Sequence, residues 1–170
     1  MKKMMIFVLV LSMFFCLAGC QSGGEGQQNQ SGGDNAAEQI FSFTYKDVTM
    51  KLADPAEPIL EKLGEPIKYT ESASCAFDGL DKSYYYGSFY LETYPQGDKD
   101  FVYGWWFADD SVSTPEGIYI GSAQADVEKA YGAENFNGTN AFTVKEGNGT
   151  LTIILEEGVV TSIQYTMNIA

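Results

Sequence analysis

The side chains of this 170-residue chain that could do chemistry are few in kind: three cysteines, twenty-three carboxylates, eleven tyrosines and ten lysines, with no histidine and no arginine. That inventory removes Ser-His and Cys-His nucleophile pairs, imidazole metal ligation and bidentate guanidinium clamps on phosphate. Carboxylate, lysine or tyrosine chemistry is left open, but no motif demands it. Oxygen ligands could gather on calcium at Asp78 with Asp81, Asp98 with Asp100, or Asp109 with Asp110. None of these has the spacing of an EF-hand loop, and acids scattered through turns are ordinarily solvated, so no metal, cofactor or catalytic residue is expected. Asn137-Gly138-Thr139 and Asn148-Gly149-Thr150 match a glycosylation sequon and read as turns.

The cysteines divide by position. Lys2 and Lys3 precede an uncharged apolar run from Met4 to Leu17, too short to span a bilayer comfortably, and Leu17-Ala18-Gly19-Cys20 follows. This layout resembles a bacterial lipoprotein signal, which implies cleavage before Cys20 and acylation of that cysteine. Residues 1–19 are then a signal peptide. Acyl chains contribute about 0.8 kcal/mol per buried methylene, enough for two or three of them to hold a domain at a membrane without a spanning helix. The expected location is the extracytoplasmic face of a cell membrane. Cys75 is left as the one free thiol, and its setting of Ser74, Ala76 and Phe77 predicts a buried, inert side chain.

Without residues 1–19, eight lysines face twenty-three acids. Such acidity opposes binding to nucleic acid and adhesion to anionic headgroups, both of which reward clustered cations. Attachment to a membrane must therefore run through Cys20. Residues 20–39, rich in Gly, Gln, Ser and Asn, have almost nothing to bury and are expected to be a disordered tether with a reach on the order of 25 Å.

From 40 to 170 the chain turns aromatic and β-branched, enough for one core. An internal repeat emerges when Gly64 is laid on Gly132: Met50 falls on Ile118, Leu52 on Ile120, Ile59 on Val127 and Leu63 on Tyr131. The first unit reads as a helix capped by Asp54, started by Pro55 and stopped by Gly64, and the second as a helix capped by Ser122 and stopped by Gly132. Beyond the helices a shift of 58 residues sets Phe101, Trp105 and Phe107 on Val159, Ile163 and Tyr165, with turns at Gln96-Gly97-Asp98, Asn148-Gly149 and Glu156-Glu157-Gly158. The expected fold class is α+β. It consists of two tandem helix-plus-antiparallel-hairpin repeats, about 43–110 and 114–170, forming one curved antiparallel sheet with helices on one face.

Three stretches carry a family resemblance: Ile118-Tyr119-Ile120-Gly121-Ser122, then Asp126 to Gly132, then Leu155 to Ile163. Together they resemble the strand, Gly-Ser, helix, Tyr-Gly and hairpin unit of β-lactamase inhibitor protein-like domains, and more distantly the SmpA/OmlA-type lipoproteins. Ser74 to Lys82 with Thr93-Tyr94-Pro95 is similar to uncharacterised lipoproteins of Gram-positive bacteria. Ala53 stands where the second unit has Gly121, a departure from the pattern. The resemblance implies a fold and a tendency to bind protein, with no reaction.

Strand alternation sorts the side chains into two faces. Taking Val159, Thr161, Ile163 and Tyr165 as inward, with Val160, Ser162 and Gln164 outward, the first unit buries Tyr84, Tyr86, Phe89, Leu91, Phe101, Tyr103, Trp105 and Phe107. Val102, Gly104, Glu92, Tyr85, Tyr90, Tyr94 and Trp106 then lie on the open face. Aromatics on a solvent face concentrate at interface hot spots, so Tyr85, Tyr90, Tyr94 and Trp106 are the candidate partner-binding residues. A parity error of one residue would reverse the set. The expected function is a non-enzymatic, lipid-anchored module that recognises a protein or an envelope polymer, glycan included, through this face. The alternatives are an envelope-acting enzyme using carboxylate or tyrosine chemistry and a scaffold component of an envelope complex. The sequence leaves oligomeric state open.

Overall fold

The computed structural model describes residues 41–168. The segments expected to be a signal peptide and a tether, and Cys20 with them, lie outside the described residues. No helix among those described is long and apolar enough to cross a membrane.

The first element is a hairpin of β1 (Ser42–Tyr45) and β2 (Val48–Lys51). Lys46 and Asp47 turn it, both with positive φ, the backbone that fits a tight two-residue hairpin. Helix α1 (Glu57–Leu63) leads into a meander of β3 (Lys68–Ala73), β4 (Leu80–Tyr85), β5 (Phe89–Gln96) and β6 (Lys99–Phe107). Helix α2 (Gln124–Tyr131), a 3₁₀ turn at Ala133–Asn135 and a second meander of β7 (Ala141–Glu146), β8 (Gly149–Glu156) and β9 (Val159–Met167) complete the order. The two meanders join edge to edge through β6 and β9, giving a seven-stranded antiparallel sheet ordered β3-β4-β5-β6-β9-β8-β7.

This architecture corrects the expectation of tandem helix-plus-hairpin repeats in an α+β fold with helices on one face. Strand accounts for 49% of the described residues and helix for 14%, in a seven-stranded sheet, a two-stranded sheet and two helices with a 3₁₀ turn. The helices have seven and eight residues, and each buries one of them, Ile59 in α1 and Val127 in α2. At 1.5 Å per residue they are little more than 10 Å long, too short to roof a sheet of this width.

Their late starts have a backbone cause. Ala53 N–H donates to Val102 O, Val102 N–H to Asp54 O and Ala56 N–H to Asp100 O, each at 2.9 Å, so the segment expected to open α1 is bridged to β6 at Pro55 and Phe101. Asp54 accordingly does not cap α1; its carboxylate accepts the N–H of Lys51 at 2.9 Å. In the same manner Gly121 N–H donates to Val160 O, Val160 N–H to Ser122 O and Gln124 N–H to Gly158 O. Ser122 Oγ accepts from Tyr119 N–H instead of capping α2. The stops at Gly64 and Gly132 do form, with positive φ and their N–H groups on Leu60 O and Glu128 O.

The β1–β2 hairpin covers much of the core. The Phe43 ring lies 5.0 Å from Phe89, 5.1 Å from Phe107 and 6.1 Å from Trp105, and Phe41 meets Tyr165 edge-on at 5.1 Å. Beneath them Phe89, Leu91, Trp105, Leu151, Ile153, Ile163 and Tyr165 are buried on the inner sheet face. Each contributes on the order of 2 kcal/mol through area removed from water.

Two register slips alter the expected alternation. Glu92 pairs with Gly104 and Thr93 with Val102, leaving Tyr103 as the bulged residue; Ile154 pairs with Ser162 and Leu155 with Val160, leaving Thr161 so. An extra residue in one strand reverses the parity beyond it. Val102 and Val160 are therefore buried, where alternation put them outside, and Val159 is exposed. Phe101, expected inside, pairs with Tyr94.

Candidate functional site

The face turned away from the hairpin carries a row of aromatics fixed by strand pairing. Tyr85 on β4 lies opposite Tyr90 on β5, which lies opposite Trp106 on β6, and the row continues to Gln164 on β9. Ring centroids are 4.5 Å apart for Tyr85 and Tyr90 and 5.0 Å for Tyr90 and Trp106, with interplanar angles of 27° and 28°. Rings that close and that parallel overlap face to face, because rings lying side by side would stand further apart. All three side chains are half-buried. The middle ring, Tyr90, has a neighbour on each face, whereas Tyr85 and Trp106 each stack on one side only.

Tyr94 is on the same side of β5 by alternation but is not available, being only 7% exposed. Phe77 lies over it with centroids 4.7 Å apart, and Phe101 is beside it at 5.9 Å. Phe77 belongs to the loop 74–79 between β3 and β4, which bends over the end of the open face; a side chain at Gly79 would collide with Pro95. This corrects Tyr94 as a partner-binding residue. It also corrects Cys75, which is exposed on that loop, because the loop covers β5 with Phe77 and leaves the thiol outside.

Between loop and sheet lies a cavity of about 520 Å³, whose lining includes Ser72, Phe77, Asp81, Glu92, Tyr94 and Tyr103. Burial pushes the Glu92 carboxyl up to about 7, and the nearby Asp81 charge adds to the rise. Desolvation, then the charges of Glu92 and Asp81, raise the Tyr103 hydroxyl as well. The neighbouring cation is already committed: Lys82 donates to Asp100 at 2.6 Å, the one ion pair among the described residues. That hydrogen bond to Asp100 holds the ammonium above its ordinary range.

Sequence reasoning missed the cavity and Glu92's place in it. The available signal was Phe77, a large apolar side chain in a loop of Ser, Ala, Asp and Gly that needs a surface to cover. The paired acids do not gather into a metal site: among the described residues no group of three or more potential ligands converges. Asp100 is in the ion pair, and Asp109 accepts from the Ser111 hydroxyl and, next in effect, from the Ser111 N–H, bonds that keep its carboxyl low. Asn137 Oδ1 accepts three backbone N–H groups, from Thr139, Asn140 and Ala141, so that sequon is a turn device.

No family model, curated protein or solved structure matches this chain. The likeness to β-lactamase inhibitor protein-like domains and lipoprotein families thus rests on the quoted residues alone, and the site has to be read from its own geometry.

Proposed function

We propose that the protein is a lipid-anchored, extracytoplasmic binding module that captures a protein partner on the open face of β4, β5 and β6. The observation that supports this reading is the Tyr85-Tyr90-Trp106 stack, three adjoining half-buried rings on the sheet face opposite the β1–β2 hairpin. Aromatic clusters of this kind dominate binding energy at protein interfaces. Three adjoining rings with two hydroxyls and an indole N–H make a mixed apolar and hydrogen-bonding surface that suits a protein partner. The anchor belongs to Cys20.

One experiment tests both halves, using membranes of cells that express the full chain. With wild type, a partner co-purifies from the membrane fraction. Tyr90→Ala with Trp106→Ala leaves the protein folded and membrane-bound but lowers capture at least about tenfold, as loss of two hot-spot rings should. Cys20→Ser moves the protein out of the membrane fraction or leaves its precursor uncleaved. Undiminished capture by the double variant contradicts the surface, and a processed Ser variant that still partitions with membranes contradicts the anchor.

A second reading draws on a specific observation: Glu92, with its raised carboxyl, and Asp81 line one cavity, as carboxylate chemistry on envelope material would need. Turnover of an envelope substrate that Glu92→Gln abolishes and Tyr90→Ala with Trp106→Ala leaves intact would favour this second reading.

A further inference from the structure

We propose that the cavity under loop 74–79 is a receptor for a cationic side chain, a lysine ammonium, presented by the protein partner that docks on the aromatic row. The inference deepens the reading above, since cavity and row occupy one continuous face: Glu92 follows Tyr90 by two residues on β5, and Ser83 precedes Tyr85 by two on β4. Three features converge on this ligand. At about 520 Å³ the space is that of a small-ligand pocket, and Phe77, Tyr94 and Tyr103 supply aromatic walls of the kind that attract cations.

The second feature is an uncompensated carboxylate. Glu92 is half-buried and has no ion-pair partner among the described residues, and Asp81 nearby adds a second negative charge in place of a counter-ion. Burial favours the protonated form of Glu92, an incoming ammonium would favour the charged one, and the one lysine lining the site is already bound to Asp100. Third, the whole chain has a net charge of −13, which steers a cationic partner toward this surface before it docks.

The test uses the full chain, about 150 mM salt to screen diffuse attraction, and two probes: tetralysine peptide and its Nζ-acetylated counterpart. Tetralysine should bind measurably more tightly than the acetylated peptide, and Glu92→Gln should weaken it at least about tenfold. Glu157→Gln, an exposed carboxylate in the β8–β9 turn, should change it less than twofold, and Cys75→Trp, at the mouth of the cavity, should block it. Equal losses from the Glu92 and Glu157 variants, or equal binding of the acetylated peptide, would reduce the effect to net charge and overturn the proposal. Should tetralysine binding depend on Glu92 while the Tyr90 and Trp106 variant still captures its partner, the docking surface is wrong and the cavity stands. The reverse pattern removes the cavity alone.

Discussion

Trp105→Ala should destabilise the protein by about 3–5 kcal/mol, while Trp106→Ala, one residue away, should cost on the order of 1 kcal/mol. Trp105 has no exposed surface and packs between Tyr165, at 5.0 Å, and Phe43, at 6.1 Å. Truncation there removes the largest side chain of the core and leaves a void that the sheet and the β1–β2 hairpin can close only in part. Trp106 points the other way. It is half-buried and loses mainly its stack on Tyr90. Urea unfolding with an unchanged m-value reads both effects. Equal costs for the two tryptophans would mean that both faces of β6 are core, and the docking surface would have no basis. Trp105→Phe should be milder than Trp105→Ala. The Trp105 indole N–H is buried without a hydrogen-bond partner, and phenylalanine removes that orphan donor while retaining an aromatic ring.

Gly104→Ala is expected to cost at least about 3 kcal/mol, despite adding only a methyl group. Gly104 sits where β6 meets β9, opposite Thr166, and a Cβ there would overlap the backbone carbonyl oxygen of Tyr165. Backbone cannot swing aside as a side chain does. The junction itself is short, with three registered pairs, Gly104 with Thr166, Trp105 with Tyr165 and Trp106 with Gln164. Strain at one of the three therefore falls on the seam that unites the two meanders. Denaturant unfolding and amide exchange check this: the variant should lose protection first along β6 and β9. Gly97→Ala is the contrasting case, with open space around its Cβ, so its cost is limited to the positive φ of a turn. Matching stabilities for Gly104→Ala and wild type would contradict the tight crossing.

The sequence was legible where local rules act alone. Gly64 and Gly132 end the helices, and Gly97-Asp98 and Glu157-Gly158 turn the hairpins, because glycine adopts positive φ at these stops and turns without steric cost. It was illegible where distant backbone competes. Asp54-Pro55 and Ser122 have the local chemistry of helix starts, yet β6 and β9 recruit those segments into extended pairing, and the helices shrink to about two turns. That competition turned an expected helical layer into short plugs and left the aromatic β1–β2 hairpin to cover much of the core.

Alternation held from Tyr84 to Glu92 and from Gly104 to Phe107, which placed Tyr85, Tyr90 and Trp106 on one face. It failed beyond the bulges at Tyr103 and Thr161, where one unpaired residue exchanges the faces. Gly104 was the clue, since a lone glycine inside a strand marks a bulge or a close backbone approach, and here it marks both. Tyr94 and Cys75 were misplaced for a different reason. Their surroundings are decided by the path of loop 74–79 over β5, a tertiary contact between Phe77 and Tyr94 that strand periodicity does not encode.

A partner docked on the open face would cover Tyr85, Tyr90 and Trp106 together. Hydroxyl-radical footprinting of the full chain, alone and with its captured partner, tests this most directly, because it reads the exposure of each aromatic side chain without altering any of them. Binding should protect Tyr85, Tyr90 and Trp106 together and leave Tyr119, an exposed ring before α2, as reactive as before. Protection of Tyr119 with continued oxidation of Tyr90 and Trp106 would place the partner elsewhere on the molecule and contradict the account.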